Sequence, residues 1–453
     1  MTARPAVRRA LWALLVATIL GLFGADVASA QDGEGEGVQG TIQYRPEGAE
    51  GREREPIEGV EVVLYTAALD ASGRAVEELG DEVARTTSDA DGRWSLDAPG
   101  PGDYAVELQV DTLPDGVELI DENRQQISQR LTTNQRNNVL FNLAEGEAAT
   151  AARNRTGDSR WDRGARLLVE GIKFGLIIGM CAIGLSLIYG TTGLVNFAHS
   201  EMITFGAVLA WVINSWGIHL IPAAVIAMFL GGVVGAGFDF TVWRPLRRRG
   251  TGLVAMMIIS IGLSIVIRYA ILYQFGERSR PYKQYAVQFD PLFTVGPVTI
   301  IPKDAIIMVV SLVLLVGVGV GLRVTKLGKA MRAVSDNTDL AASTGIDVNR
   351  VITTVWFLGG ALVTLGGIFQ GLSEQVNWLN GFQLLLLVFA AVTLGGLGTD
   401  FGVIVGSLIV GIFVYVSTLA IPPELKNVGA LLVMIVILMV RPQGIFGRKE
   451  RIG

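Results

Sequence analysis

The sequence is poor in the residues that form covalent cross-links and metal sites. Its 453 residues include one cysteine, Cys181, and two histidines, His199 and His219. A single cysteine excludes a disulfide within the chain and a thiolate metal cluster. Because Cys181 lies inside an apolar run, it is typical of a small buried residue. We predict no metal site, no cofactor and no catalytic residue.

Charge is also scarce, and it is unevenly distributed. Charged residues make up 17% of the chain, below the roughly 25% of soluble domains. Residues 31–165 are polar and mostly acidic, whereas residues 166–441 are apolar with charges in short patches. The net charge of −5 belongs largely to the polar region, so the composition does not favour nucleic-acid binding. The length allows two units.

The first thirty residues have the three parts of a secretory signal peptide. Arg4, Arg8 and Arg9 precede an apolar stretch, and Ala28-Ser29-Ala30 follows it. The apolar stretch is short for a membrane span. We therefore predict a signal peptide over 1–30, cleaved after Ala30, with an uncleaved anchor as the alternative. In both cases residue 31 begins outside the cytoplasm.

Residues 31–150 are predicted to form a small extracellular β-sandwich. Apolar or alternating segments at 38–44, 59–65, 92–96 and 103–108 are separated by Gly, Pro and Asp, which indicates short strands and turns. The order of "GTI", "PIEGVEVVLYT", "TTSDADGRWSL" and "PGDYAVEL" resembles the carboxypeptidase-regulatory or prealbumin-like family. Residues 151–165 are predicted to be a linker.

The remainder is predicted to be a polytopic α-helical membrane protein with about nine spans, because each crossing needs about twenty apolar residues. The pair around Gly395 could alternatively form a re-entrant or broken hairpin. The apolar runs are 168–190, 197–217, 219–241, 252–275, 302–322, 351–372, 381–398, 401–421 and 427–441.

Basic clusters predict the direction of the spans. They follow the third, fifth and ninth runs, at 244–249, 323–332 and 441–451. The positive-inside rule places these clusters in the cytoplasm, so the first span begins outside, as the signal peptide also requires. The loop 276–300 carries Arg278, Arg280 and Lys283 and is nevertheless predicted to be external. We expect a multi-pass plasma (inner) membrane protein with a cytoplasmic C-terminal tail, 447–453.

Residues 184–207 carry the most specific motif, "GLSLIYGTTGLVNFAHSEMITFGA". This stretch resembles the signature of the branched-chain amino-acid ABC transporter permease family, with Ser200 where the family usually has Gly. The segments "WRPLRRRG" at 243–250, "GKAMRAVSDNTDLAASTGIDVNRV" at 328–351 and "AAVTLGGLGTDFGVIVGSLIVG" at 390–411 are also similar to the family. The resemblance covers about 166–446, which implies an ABC permease transmembrane domain over that range.

The resemblance implies import of branched-chain or related small amino acids, with membrane lipid around the chain. It also implies a second homologous permease subunit, two ATP-binding subunits and an extracytoplasmic substrate-binding protein. The chain is not predicted to be an enzyme: its Gly328-Lys329 pair is followed by Ala330 and lacks the preceding glycine that a phosphate-binding loop requires.

Two groups of candidate site residues follow. Translocation-pathway or helix-break candidates are Gly190, Gly193, Asn196, His199, Glu201, Gly395, Gly396 and Gly398. Helical spacing would place Asn196, His199 and Ser200 on one face, either lining the pathway or capping a helix. Candidates for a cytoplasmic loop that couples to the ATPase are Arg332, Ala341, Ala342 and Gly345; the alternative is an ordinary basic loop.

Other functional classes stay open. Relatives of this family carry urea or short amides. An ion-coupled secondary transporter would need charges deep in its spans, but Asp239 and Arg268 are predicted near span ends. A membrane-anchored binding or adhesion protein would need only one anchor.

Overall fold

A computed structural model describes residues 36–46, 55–68, 79–119, 125–131, 136–139, 141–146, 160–285, 292–396, 398–421, 425–440 and 444–446. The signal peptide, most of the linker and the C-terminal tail predicted above lie outside these residues. The described residues fall into two compact units, one between Val27 and Asp162 and one between Arg163 and Gly453.

The first unit is β-rich, as the sequence predicts. Its strands are β1 Gly37–Thr41, β2 Gln43–Arg45, β3 Glu55–Pro56, β4 Glu61–Thr66, β5 Glu82–Thr87, β6 Arg93–Asp97, β7 Gly102–Leu108, β8 Val117–Leu119, β9 Gln126–Leu131, β10 Arg136–Val139 and β11 Asn142–Glu145. They form three sheets in the orders β10-β1-β6, β3-β2-β11-β8 and β5-β4-β7-β9. The likeness of this unit to the carboxypeptidase-regulatory or prealbumin-like family stays a prediction.

The core of the β-rich unit is formed by apolar residues that alternate with exposed ones along the strands. Trp94 and Leu96 on β6 are buried while their neighbours are exposed, as expected of a strand with one face on the core. Ser88 is buried as well: its Oγ donates to the Ile57 carbonyl at 2.6 Å and accepts from the Val60 N–H at 3.0 Å.

The expectation of one strand over 38–44 is wrong in detail. The segment breaks at Ile42, and its two halves join different sheets: β1 pairs with β6 and β10, whereas β2 pairs with β3 and β11. The Ile42 side chain is fully buried, and its N–H donates to the Gly92 carbonyl at 2.7 Å. This contact with the turn at Gly92 fixes the backbone at the point where the chain passes from one sheet to the other.

The second unit is helical. Its helices are α1 Arg160–Thr192, α2 His199–Ser215, α3 Leu220–Phe238, α4 Arg244–Arg248, α5 Leu253–Phe275, α6 Pro302–Val324, α7 Lys326–Asp336, α8 Thr338–Ser343, α9 Val348–Glu374, α10 Asn380–Gly395, α11 Asp400–Val416 and α12 Lys426–Val440. A short hairpin, β12 Phe293–Val295 and β13 Val298–Ile300, precedes α6.

Six helices in the described part of the chain are long and apolar enough to cross a membrane: α1, α3 continued through α4, α5, α6, α9 and α11. The helices α2, α10 and α12 are shorter, with 17, 16 and 15 residues. Every predicted apolar run contains a helix, which confirms the helical membrane architecture. The count of nine spans stays a prediction.

The third span is longer than the sequence indicates. Instead of ending near residue 241, α3 continues through a π-helical turn, Asp239–Trp243, into α4. Pro245 lies in the first turn of α4, where a missing N–H does no harm. The segment "WRPLRRRG" is therefore largely helical.

Close helix packing centres on α9. Where α2 and α3 cross α9, glycines bring the backbones into contact: a Cβ at Gly206 would lie 2.6 Å from Thr364 Cα, and one at Gly360 would lie 2.6 Å from the Gly231 carbonyl oxygen. Small residues at helix crossings are how membrane helices approach closely. This packing holds α2, which begins within the motif at 184–207, in the interior of the unit.

Candidate functional site

The signature motif spans a break between two helices. Helix α1 ends at Thr192, Gly193 has a φ of +66°, and α2 begins at His199. Positive φ favours glycine because L side chains are crowded there. Of the helix-break candidates, Gly193 therefore lies at a break, whereas Gly190 lies in the last turn of α1. Thr192 closes the end of α1 by donating its hydroxyl to the Ile188 carbonyl at 2.6 Å.

A second predicted break lies between α10 and α11. Helix α10 ends at Gly395, and Gly396 and Gly398 have φ values of +104° and +74°. The two breaks approach each other, since a Cβ built on Gly190 would lie 3.7 Å from Gly398 Cα. The structure thus brings together candidates that are about 200 residues apart in the sequence.

Asn196 does not share a helical face with His199 and Ser200, contrary to expectation, because it precedes the start of α2. Its Oδ1 accepts from the Ala198 N–H at 3.1 Å and so turns the chain into the helix. A side-chain oxygen that satisfies a free N–H at a helix start stabilises the start. The Phe197 N–H donates to Ser260 Oγ at 3.0 Å, which fixes the break against α5.

His199 is fully buried and contacts α1. Its Nε2 lies 2.9 Å from the Cys181 carbonyl oxygen; because a carbonyl only accepts, Nε2 carries the proton. Among the described residues Nδ1 has no hydrogen-bond partner. The other histidine, His219, is exposed, and its Nδ1 accepts from the Ile221 N–H at 3.3 Å and caps α3.

Glu201 forms an ion pair that the sequence analysis missed. It is fully buried, and its Oε1 accepts from Arg268 Nη2 at 2.6 Å and from Nε at 3.0 Å. Ser264 Oγ donates to the same oxygen at 3.1 Å. Arg268 lies inside α5 rather than at a span end. Buried charges in apolar helices require partners, so the scarcity of charge was the signal that could have found this pair.

Ion pairs also join other elements of this unit. Lys173 Nζ on α1 lies 3.0 Å from Asp304 Oδ1 on α6. In the π-helical turn, Asp239 is fully buried and accepts from Arg247 Nη2 at 2.5 Å through Oδ1 and from Thr353 Oγ1 at 2.7 Å through Oδ2. Of these residues, Asp239 was predicted near a span end, and it lies in the π-helical turn at the end of α3.

The predicted ATPase-coupling segment folds as two short helices. Thr325 caps α7 and Asn337 caps α8, each accepting a backbone N–H through its side-chain oxygen. Gly345, with a φ of +90°, follows α8. Arg332 donates to the Arg323 carbonyl at 3.1 Å, so this side chain fixes α7 to the end of α6.

Ala341 and Ala342 differ in exposure. Ala341 is buried at 3% in the core of this unit, whereas Ala342 is exposed. The expectation that both alanines present themselves to another subunit is therefore wrong for Ala341, because helical geometry turns the two neighbouring residues to different sides. Leu340, which the sequence analysis overlooked, is 63% exposed beside Ala342.

The basic loop after α5 is fixed by its own contacts. Arg280 Cζ lies 4.7 Å from the centre of the Trp211 ring and 4.9 Å from that of Phe275. Lys283 Nζ donates to the Ser215 carbonyl at 2.9 Å. The Tyr282 hydroxyl donates to the Ala207 carbonyl at 3.1 Å, and burial raises the Tyr282 pKa. Arg280 and Lys283 are therefore engaged in contacts within the fold.

The described residues contain no group of three His, Cys, Asp or Glu side chains that could hold a metal ion. Comparison with known proteins then identifies the helical unit. The family model described as "Branched-chain amino acid transport system / permease component" matches residues 167–438.

Several curated proteins match the same region. The high-affinity branched-chain amino acid transport system permease protein LivH of Escherichia coli (strain K12) is 28% identical over 298 residues, 62% of this chain and 95% of LivH. Protein BraD of Pseudomonas aeruginosa, with the same description, has the same identity and coverage. The probable branched-chain amino acid transport permease protein LivH of Methanocaldococcus jannaschii is 27% identical over 300 residues, 63% of this chain and 94% of that protein.

The family model covers more than half of the chain and reaches from α1 into α12. Together with the apolar helices, this match means that the chain belongs to the branched-chain amino acid transport permease family, as a multi-pass membrane subunit of a transport system.

Proposed function

We propose that this chain is the permease subunit of an ABC importer that moves branched-chain amino acids across the plasma (inner) membrane. The extent of the match supports the proposal: the relatives named for this substrate align over 95% of the length of LivH from Escherichia coli. Their names favour amino acids over urea or short amides. In this proposal the chain has no catalytic step of its own.

The proposed complex contains a second homologous permease, two ATP-binding subunits and an extracytoplasmic substrate-binding protein. The sequence supports separate ATPases, since the Gly328-Lys329 pair is followed by Ala330 instead of the Ser or Thr of a phosphate-binding loop. The binding protein would select the amino acid before it reaches the membrane.

The proposed pathway runs beside the two helix breaks. The candidates Gly190 and Gly193 at the first break and Gly395, Gly396 and Gly398 at the second lie on segments that approach each other. Breaks in membrane helices expose backbone polar groups, which are tolerated where they line a cavity or are buried in protein. Asn196, His199 and Glu201 add buried polar side chains to this region.

The proposed contact with the ATPase is formed by α8 and the turn at Gly345. Leu340 and Ala342 are exposed there, while Arg332 and the buried Ala341 fix the segment to the permease. An exposed leucine beside a small residue offers an apolar surface with room for a partner. Conformational change in the ATPase would reach the membrane helices through α6 and α9, which flank α7 and α8 in the chain.

The proposed orientation places the β-rich unit outside and α7–α8 in the cytoplasm. Arginine and lysine clusters at the ends of the third, fifth and ninth runs support it. Asp91 and Ser335 are both exposed, so D91C should react with an impermeant thiol reagent in intact cells, whereas S335C should not. The reverse labelling would contradict the orientation. Native Cys181 is buried and contributes little background.

The function is tested by leucine uptake in cells that carry the chain with its partner subunits. If α8 contacts the ATPase, Ala342→Trp should reduce uptake by about tenfold or more, because overpacking an interface costs ~1–3 kcal/mol. The matched control is Ser335→Trp, at an exposed position on α7, which should transport normally. Co-purification of the ATPases is measured for both variants. Normal uptake by Ala342→Trp would remove α8 from the proposed contact, and absence of leucine uptake by the unaltered complex would overturn the function.

A further inference from the structure

The Glu201–Arg268 pair leaves one hydrogen-bonding atom unused on each side. Both Arg268 donors that reach Glu201, Nε and Nη2, bind the same oxygen, Oε1. Glu201 Oε2 is buried and has no hydrogen-bond partner among the described residues. Within the same residues, no acceptor is bound to Arg268 Nη1. A guanidinium that served only to hold a carboxylate would usually bind both oxygens in a fork.

A second fully buried carboxylate that forms an ion pair among the described residues differs. Asp239 has a partner on each oxygen, Arg247 on Oδ1 and Thr353 on Oδ2. A buried carboxylate that only holds helices together is expected to be satisfied in this way. The unused oxygen of Glu201 is therefore a feature of this pair and not of buried carboxylates in the unit generally.

The surroundings of Arg268 combine charge with an exposed apolar surface. The Arg268 side chain is 13% exposed, and its Cζ lies 3.9 Å from the centre of the Phe382 ring. Phe382 is 48% exposed. The next residue on α5, Tyr269, places its ring 6.3 Å from that of Trp378, which precedes α10. Aromatic rings thus flank the only partly accessible member of the pair.

We propose that Glu201 and Arg268 form a binding site for the zwitterion of an α-amino acid during translocation. The substrate ammonium would donate to Glu201 Oε2, the substrate carboxylate would accept from Arg268 Nη1, and an apolar side chain would lie against Phe382. This inference rests on the proposed function and names the residues that recognise its substrate class.

Charge balance makes this exchange physically reasonable. In the structure each member of the pair neutralises the other, and isolated charges in an apolar interior are costly. A zwitterion carries the same two charges, so it can separate the pair while leaving each member with an opposite charge. An uncharged solute such as urea offers no such compensation. The pair would therefore favour amino acids over neutral amides.

The test compares Glu201→Gln, Arg268→Gln and the double variant that carries both changes, each in the complex with its partner subunits. Uptake of radiolabelled leucine and the yield of assembled complex are measured. Each single variant should lose uptake by about tenfold or more, because a hydrogen bond to a charged group is lost. The double variant contains no unpaired charge and should recover assembly, while its uptake stays at least about tenfold below normal. Recovery of normal uptake together with assembly would show that the pair only holds α2 to α5 and would overturn the proposal.

Two further variants keep the test decisive. Asp239→Asn with Arg247→Gln neutralises a pair whose carboxylate is fully satisfied, and it should assemble with near-normal uptake. Arg268→Lys retains the charge beside Glu201 but loses the guanidinium fork; it should assemble and still lose about tenfold in uptake, which settles the question if the double variant does not fold. Normal uptake by Arg268→Lys would contradict the site while leaving the proposed function intact. If the unaltered complex takes up no leucine, the proposed function fails, and this inference fails with it.

Discussion

Helices α9 and α5 are both long and apolar enough to cross a membrane, yet the protein buries them very differently. In their most apolar stretches, 78% of α9 is buried within the unit, against 17% of α5. α5 is nevertheless the more apolar of the two by sequence. Hydrophobicity therefore indicates that a helix can enter the membrane, but it does not indicate whether lipid or protein will surround it.

The surroundings of the glycines differ between these regions in the same way. At Gly206 and Gly360, a Cβ would meet the backbone of a neighbouring helix. On α5 and α6, Gly262 and Gly317 have nothing within 4 Å of such a Cβ. The same residue type marks a helix crossing in one region and has no packing role in the other. The polar pairs Glu201–Arg268 and Lys173–Asp304 provide specific attachment for α5 and α6, respectively.

The largest expected effect comes from adding a side chain at a helix crossing. Gly206→Val would force its methyl groups against Thr364 backbone atoms that lie 2.6 and 2.7 Å from an added Cβ. Because backbone on a packed helix cannot give way, we expect destabilisation of about 3 kcal/mol or more and a loss of folded protein. Size-exclusion chromatography of the detergent-purified protein measures the loss.

Gly262→Val on α5 is the matched control for this change. It introduces the same side chain into open space and should change stability by less than about 0.5 kcal/mol. Equal stability of the two variants would show that the difference in burial between α9 and α5 has no effect on the free energy of folding.

An intermediate effect is expected where a polar pair attaches α6. Lys173→Gln removes the cation that lies between Glu170 and Asp304, at 2.7 and 3.0 Å. Asp304 is only 13% exposed, so we expect a loss of about 1–3 kcal/mol in thermal stability. The exposed Lys329 on α7 provides the control as Lys329→Gln, which should not shift the melting temperature. A Lys173→Gln protein as stable as the unaltered one would mean that apolar contacts alone attach α6.

The smallest effect is expected at the loop after α5. Tyr282→Phe removes the hydrogen bond to the Ala207 carbonyl, which is worth about 1 kcal/mol. Burial raises the Tyr282 pKa above its usual 10.0. The folded protein therefore holds this proton more tightly than the unfolded chain does. The stability linked to this group is fully present below about pH 10 and falls as the pH rises further.

Hydrogen exchange of the loop backbone at neutral and alkaline pH measures both effects. The Tyr282→Phe protein should exchange slightly faster at pH 7, and it should lose the part of the alkaline sensitivity that this tyrosine contributes. An unchanged alkaline response would assign that sensitivity to other groups.

Much of the architecture could be predicted from local sequence patterns. The short β strands, the apolar runs and the breaks at Gly193 and Gly395–Gly398 all depend on residues close together in the chain. The exposed turn at Gly345 is another such feature. The prediction of one strand over 38–44 was less accurate, because the change of sheet at Ile42 depends on a contact with Gly92, fifty residues away.

The candidate site was only half visible in the sequence. Its motif contains Glu201, but the partner Arg268 lies 67 residues later, inside a helix that carries no motif. Likewise, Ala341 and Ala342 look equivalent in the sequence and differ once α8 packs on the unit.

The sequence alone determined that the chain has a β-rich region followed by apolar helices, because hydrophobic period and length are local properties. The tertiary structure decided which helices are enclosed, which glycines are contacts and which charges pair. These features depend on where helices that are distant in the chain cross. Few ways of packing the helices are possible there, because two backbones approach closely only at small residues and because burying an unpaired charge is costly.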